Sequence, residues 1–204
     1  MAYFLNNPDI MLRLAGVHLY MTGMALLIAV AIALPLSLLL VRYGRLATIM
    51  LALLGGIYTI PSIAMLILLL PIFGLNQTSV IVALVLYSQI ILARNMVAGL
   101  KSVPAPILEA ATGMGMNGWQ RWSRVQLPLA MPVILAGVRV AAVVSVAIAT
   151  IGAKFGAGGL GTLLFDGIAQ NRYDKIVAGS IGVALLAFAL NWLLLRLERY
   201  FERG

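Results

Sequence analysis

Between Arg45 and Arg94 the chain carries no Asp, Glu, Lys, Arg or His. That run is too long for one bilayer crossing, which takes about 20 residues. It reads as at least two membrane helices. Composition extends the conclusion to the whole chain. Hydrophobic residues make up 63% of the 204 positions and charged residues only 10%, against about 25% charged in ordinary soluble domains. A water-soluble protein of this size could not hide so much apolar surface.

Five spans are expected, at about 14–41, 47–71, 79–100, 129–153 and 176–196. Pro71, Gly74, Asn76 and Gln77 divide the long uncharged run into a hairpin of two helices. None of the runs shows the period-two alternation of a lipid-facing barrel strand, so helices are the expected structure. The fold class is therefore an all-α membrane protein with about five transmembrane helices, read as one transmembrane domain over 1–204. Pro35 in the first span reads as a simple kink.

The formal charge of +8 would suggest nucleic acid in a soluble protein, but the basic residues sit in short connectors between apolar runs. Arg42 and Arg45 follow the first span. Arg94, Lys101, Arg121 and Arg124 are assigned between spans three and four, and Arg196, Arg199 and Arg203 end the chain. The 72–78 turn has no charge, and 154–175 mixes Lys154, Arg172 and Lys175 with Asp166 and Asp174. This bias puts the N-terminus outside and the C-terminus in the cytoplasm. Trp192 and Tyr200 suit an interfacial belt.

There is no cysteine and one histidine, His18, which excludes disulfides, thiolate catalysis and a cysteine-ligated metal. No catalytic, cofactor or metal-ligating residue is assigned. No cleavable signal is expected, because the first apolar run is too long for a signal core. No G-x-x-x-x-G-K-[ST] loop is present, so uphill transport by this chain would draw its energy from another subunit.

The segment 101–128 is the most informative. Pro104 and Pro106 end one helix and open another over Ile107–Thr112, with Gly113 and Gly115 permitting a sharp exit. Asn117 can cap a second short helix, on which Trp119 and Trp122, and Arg121 and Arg124, are three apart and share faces. Pro128 is expected to stop it. One reading is an amphipathic interfacial element whose tryptophans and arginines touch headgroups. The other is a protein-docking element presenting small residues.

The spacing favours the second reading. Glu109-Ala110-Ala111, three residues, Gly115, nine residues, Val125, one residue, Leu127-Pro128 resembles the EAA motif of ABC importer permeases, with Val125 standing where that pattern has Ile. The resemblance implies a type I ABC importer-like permease in the bacterial cytoplasmic (inner) membrane. Glu109, Ala110, Ala111, Gly115, Val125, Leu127 and Pro128 would then belong to the coupling loop that seats in the ATPase subunit. ATP and Mg would be held by that partner and no cofactor by this chain. The further implied partners are a second permease subunit, copy or paralogue, and an external substrate-binding protein, with lipid around them and no nucleic acid. Solute would pass between the membrane subunits as ATP binding swings them from inward- to outward-facing.

A second constellation runs from Gly152 to Gly161. Gly156, Gly158 and Gly161 satisfy G-x-G-x-x-G, but they follow an apolar helix instead of a strand, so a dinucleotide site is rejected. One reading is a flexible helix end. The other is a resemblance to permeases for osmoprotectants and for methionine, where a glycine-rich turn follows the fourth span. Tyr58-Thr59-Ile60-Pro61-Ser62, the stretch from Pro128 to Arg139, and Ala149-Thr150-Ile151 are similar to the osmoprotectant branch. Lys154 departs from it. The substrate this implies is a small quaternary ammonium such as glycine betaine, choline or carnitine, with methionine as the alternative.

Residues expected to line or gate the path are Thr59, Pro61, Ser62, Arg139, Gly156, Gly158, Gly159 and Gly161. Pro61 breaks the second span, freeing backbone groups that are tolerable only in protein or beside a cavity. Arg139 either snorkels to the cytoplasmic face or faces the bundle interior. An ion-coupled carrier is a competing class. It usually shows embedded carboxylates and paired repeats, and none of the six acidic residues falls inside the five expected spans.

Overall fold

Hydrocarbon offers no hydrogen-bond partner, so each crossing segment must satisfy its backbone internally, and the chain does so with helices. The computed structural model describes Tyr3 and residues 6–202; Arg203 lies outside them. In chain order the helices are α1 (Pro8–Arg42), α2 (Gly44–Thr59), α3 (Ser62–Phe73), α4 (Gln77–Ser102), α5 (Ala105–Gly113), α6 (Gly118–Arg121), α7 (Leu127–Gly152), α8 (Gly161–Ala169) and α9 (Tyr173–Glu202). A π-helical turn, Trp122–Gln126, joins α6 to α7. Helix α1, α4, the run Gly118–Phe155 and α9 are each long and apolar enough to cross a membrane, and α2 with α3 makes a fifth crossing if the bent pair is one span.

Two expectations need correction, on Pro128 and on Arg94 and Lys101, and two others gain detail. The break expected at Pro61 divides the second span into two helices bent by 94° at Ile60–Pro61, because Pro61 lacks the N–H that would continue α2. Pro128 does not stop the coupling segment. It sits in the first turn of α7, where no donor is needed, and the π turn closes with Leu127 N–H to Trp122 C=O, carrying the helix into the proline. Arg94 and Lys101 lie within α4, not in the loop after it. The 154–175 connector contains its own helix, α8, too short at about 13 Å to cross the bilayer. The hairpin between spans two and three is where expected: Gly74 ends α3 with φ 78°, and the Asn76 side chain caps α4 by accepting from Thr78 and Ser79 N–H. Pro71 lies inside α3 and Pro35 inside α1, without interrupting either helix.

Helix α4 is the centre of the bundle, packed on α1, α7, α2 and α3. In its most apolar window 61% of residues are buried, against 11% for α9. Between lipid-soluble helices the hydrophobic effect drives little association, so small side chains and polar contacts hold the contacts together. Along α1, Ala25, Ala29 and Ala33 recur every fourth residue and are fully buried. Gln89 on α4 donates to the Ala29 carbonyl at 3.2 Å. His18 Nε2 donates to the Val146 carbonyl on α7 at 3.1 Å, and Ser88 and Ser145 approach to 3.4 Å between α4 and α7. Helices α1, α4 and α7 thus form a tied triad.

Among the glycines of this triad the tightest packing is at Gly137, where an added Cβ would lie 2.4 Å from Asn95 Cβ on α4. Substituting Gly137→Ala is expected to cost about 1–3 kcal/mol by overpacking, read as a lower thermal unfolding midpoint in detergent. Gly23→Ala on α1, where the added methyl meets nothing within 4 Å, is the matched change expected to show no loss.

Candidate coupling surface and translocation seam

Helix α5 begins after Pro104 and ends at Gly113. Its exit is a Schellman turn: Met116 N–H bonds Ala111 C=O, Gly115 N–H bonds Thr112 C=O, and Gly115 sits at φ 81°. The glycine of the motif is therefore the left-handed residue that stops the helix. Asn117 and Gln120 then form a capping box that starts α6. Arg121 ties the two short helices by donating to Thr112 Oγ1 at 3.1 Å, and Gln126 fastens the π turn to the end of α4 through the Leu100 carbonyl.

The motif residues divide by direction. Ala111 is buried, and Leu127 packs on the cluster containing Met96, Leu100 and Ala130. Val125 is half-buried, while Glu109, Ala110, Gly115 and Pro128 are exposed. Beside them Met114 is 71% and Trp119 69% exposed, with Ile107 also uncovered. Trp119 rests on Trp122 with ring centroids 4.8 Å apart. The loop is thus a rigid platform with an apolar outward face around one carboxylate. Next to it a cleft of about 1270 Å³, lined by Arg124, Pro128, Arg196, Arg199 and Tyr200 among others, separates the π turn from the end of α9.

The break between α2 and α3 has a specific partner. The Ile60 carbonyl, at the bend, accepts from the Tyr87 hydroxyl of α4, and Thr59 Oγ1 turns back to the Gly56 carbonyl at 2.7 Å. Tyr58 meets Tyr87 edge-on at 5.8 Å. Thr59 and Pro61 are exposed and Ser62 is half-buried. One turn below Tyr58 on α2, Gly55 lies against Arg94: a Cβ there would be 3.7 Å from Arg94 Nη2. Arg94 is exposed and joins neither ion pair found among the described residues. In lipid a bare arginine would cost about 2.5–3.5 kcal/mol.

Arg139 turns toward α9 and is paired within the bundle. Its Nε donates to Glu198 of α9 at 2.9 Å and its Nη1 to Asn191 Oδ1 at 3.4 Å. Sequence reasoning missed Glu198 because α9 runs to residue 202, beyond the expected end of the span at 196. The one available signal was a lone basic residue in a span, which calls for an acid elsewhere in the bundle.

The glycine stretch is a packed turn instead of a frayed end. Gly156, Gly158 and Gly159 have φ of 77°, 77° and 81°; Ala157 and Leu160 are buried. A Cβ at Gly156 would meet the Leu75 carbonyl at 2.9 Å, one at Gly159 would meet His18 at 3.2 Å, and one at Gly161 would meet the Thr150 carbonyl at 2.1 Å. Lys154 is placed by the Phe165 ring, 5.6 Å away. The expected path residues thus fall in three places: the α2–α3 break, the α7–α9 ion pair and the glycine turn.

Removing one partner of the Arg139–Glu198 pair leaves a charge with few alternatives. Glu198→Gln is expected to destabilise the protein by about 2 kcal/mol in thermal unfolding, less than a fully buried pair because both side chains retain some exposure. The double variant Arg139→Met with Glu198→Leu is expected to recover most of that loss.

Known proteins are similar to this chain in sequence and in overall fold. Residues 25–204 match the family described as binding-protein-dependent transport system inner membrane component. The osmoprotectant import permease protein OsmW of Salmonella typhimurium is 39% identical over 201 residues, covering 96% of this chain and 94% of that protein. The glycine betaine/carnitine/choline transport system permease protein OpuCB of Bacillus subtilis is 33% identical, covering 98% and 92%. Among solved structures, an inward-facing form of the MetNI methionine ABC transporter superposes with a TM-score of 0.85 at 22% identity, covering 96% of this chain and 98% of that one. That likeness supports the type I importer fold. The chain belongs to the family of binding-protein-dependent transport system inner membrane components.

Proposed function

We propose that this protein is the permease subunit of an ATP-driven ABC importer that takes up a small quaternary-ammonium osmoprotectant delivered by an external binding protein. The observation that carries the reading is identity of 33–39% along nearly the whole chain with permeases named for osmoprotectant, glycine betaine, carnitine and choline transport. Methionine is the weaker reading, since the methionine transporter shares the fold at only 22% identity.

In this reading the α5–α6 platform faces the cytoplasm, with the N-terminus outside and the C-terminus inside, as the arginines around the platform and at the end of α9 favour. The exposed face of Glu109, Ala110, Met114, Gly115 and Trp119 seats in the ATPase subunit, which holds ATP and Mg. ATP binding there moves the platform. Because the π turn continues into α7, the movement passes directly to the membrane helices and reorients the passage between two permease subunits. Thr59, Pro61 and Ser62 sit at the bend best suited to line that passage. Arg139 holds α7 to α9 during the movement, and Gly156, Gly158, Gly159 and Gly161 form the turn at the opposite end of α7.

Two measurements test this. Gly115→Val places a β-branched residue at φ 81°, which costs about 1–2 kcal/mol and distorts the platform. The variant is expected to insert normally yet lose transport and retain fewer ATPase subunits on purification, while Gly115→Asn, which tolerates the left-handed region, keeps more activity. Separately, the complex reconstituted with its binding protein is expected to show ATPase activity stimulated by glycine betaine. Stimulation by methionine, with no response to any quaternary ammonium, would transfer the assignment to an amino-acid importer.

A further inference from the structure

From Ser79 to Leu100 most of the central helix α4 is buried or half-buried, and its two exposed positions, Arg94 and Ala98, stand one turn apart on the same face. The most exposed strip of the helix therefore carries a full positive charge. No carboxylate among the described residues pairs with it: Glu198 is taken by Arg139 and Asp174 by Arg172. Lipid would not tolerate the charge there. The strip is thus the part of the bundle best suited to face an aqueous passage.

Its surroundings specify a ligand chemistry. Arg94 lies over Gly55 of α2, which has no side chain to block the guanidinium. Three residues on, and so on the same face about 5 Å further along α2, Tyr58 is 41% exposed. Its ring is steadied edge-on by Tyr87, whose hydroxyl is already committed to the Ile60 carbonyl. Arg94, lying over Gly55, and the exposed Tyr58 three residues further along α2 are therefore placed along one seam, next to a break in the helix. Guanidinium binds carboxylate with two directed hydrogen bonds; an aromatic face attracts a quaternary ammonium.

We propose that Arg94 and Tyr58 form a low-affinity recognition point on the translocation path for zwitterions that carry both a carboxylate and a quaternary ammonium. The carboxylate is taken by Arg94 and the cationic head by Tyr58. The inference rests on the osmoprotectant reading and narrows it: an onium alcohol such as choline meets the same tyrosine but gains nothing from the arginine, whose charge repels it. The site therefore prefers betaines to choline within the membrane subunit itself, independently of the binding protein.

The test uses the assembled transporter in nanodiscs without binding protein, with glycine betaine and choline compared by saturation-transfer NMR titration. Arg94→Gln is expected to weaken glycine betaine about tenfold while choline binding does not fall, and Arg94→Lys to lie between. Tyr58→Leu is expected to weaken both solutes. Uptake of glycine betaine with the binding protein present, in proteoliposomes, is expected to fall for Arg94→Gln. Equal weakening of the two solutes by Arg94→Gln, as expected if Arg94 only pairs with a neighbouring subunit, would overturn the proposal, as would no change in either. Failure of the wild-type complex to take up any quaternary ammonium would be a different result, removing the osmoprotectant reading and this inference with it.

Discussion

The contact between the Tyr87 hydroxyl and the Ile60 carbonyl organises much of this structure. A helix bent by 94° inside hydrocarbon exposes main-chain groups that lipid cannot satisfy. Here the bend is tolerated because the central helix, itself sheltered, supplies the donor. Beside the bend Tyr58 and Thr59 are exposed, and one turn away Arg94 lies against Gly55. The irregular part of the fold depends on the most regular part.

Charge is handled by the same logic. Arg139 is satisfied within the chain by an acid and an amide on α9, and so contributes to cohesion. Arg94, at a comparable level of the bundle as judged from the Asn95–Gly137 contact, has no such partner among the described residues. Two arginines within the helical bundle thus differ in what stands across from them: one is paired inside the chain and the other is left open.

Local signals make much of this legible in the amino-acid sequence. The uncharged run and the Gly74–Asn76 punctuation locate the α3–α4 hairpin, since Asn76 caps through its own side chain. The coupling motif can be read because Gly115 and Asn117 act on neighbouring backbone within three residues. What stays hidden is long-range. Pro61 announces a break but not the size of the bend, because the bend's tolerance depends on Tyr87, 27 residues from Ile60. The Arg139–Glu198 pair spans 59 positions, and the glycines of 156–161 look flexible until Leu75, Val17 and His18 are packed against them. Pro128 misleads for a related reason: a proline that ends one helix and one that opens the next are the same letter, and only the π turn ahead of it separates the two.

That π turn has a mechanical consequence. With it the helical run from Gly118 to Phe155 counts 38 residues, a strut of about 57 Å with its docking end among the α5–α6 side chains and its far end in the glycine turn. A strut without a joint converts angle into distance: a tilt of about 10° at one end sweeps the other by roughly 10 Å. Under the proposed coupling, the tightly seated glycines at Leu75 and His18 would be the bearing of such a movement, and an added methyl group there would obstruct it.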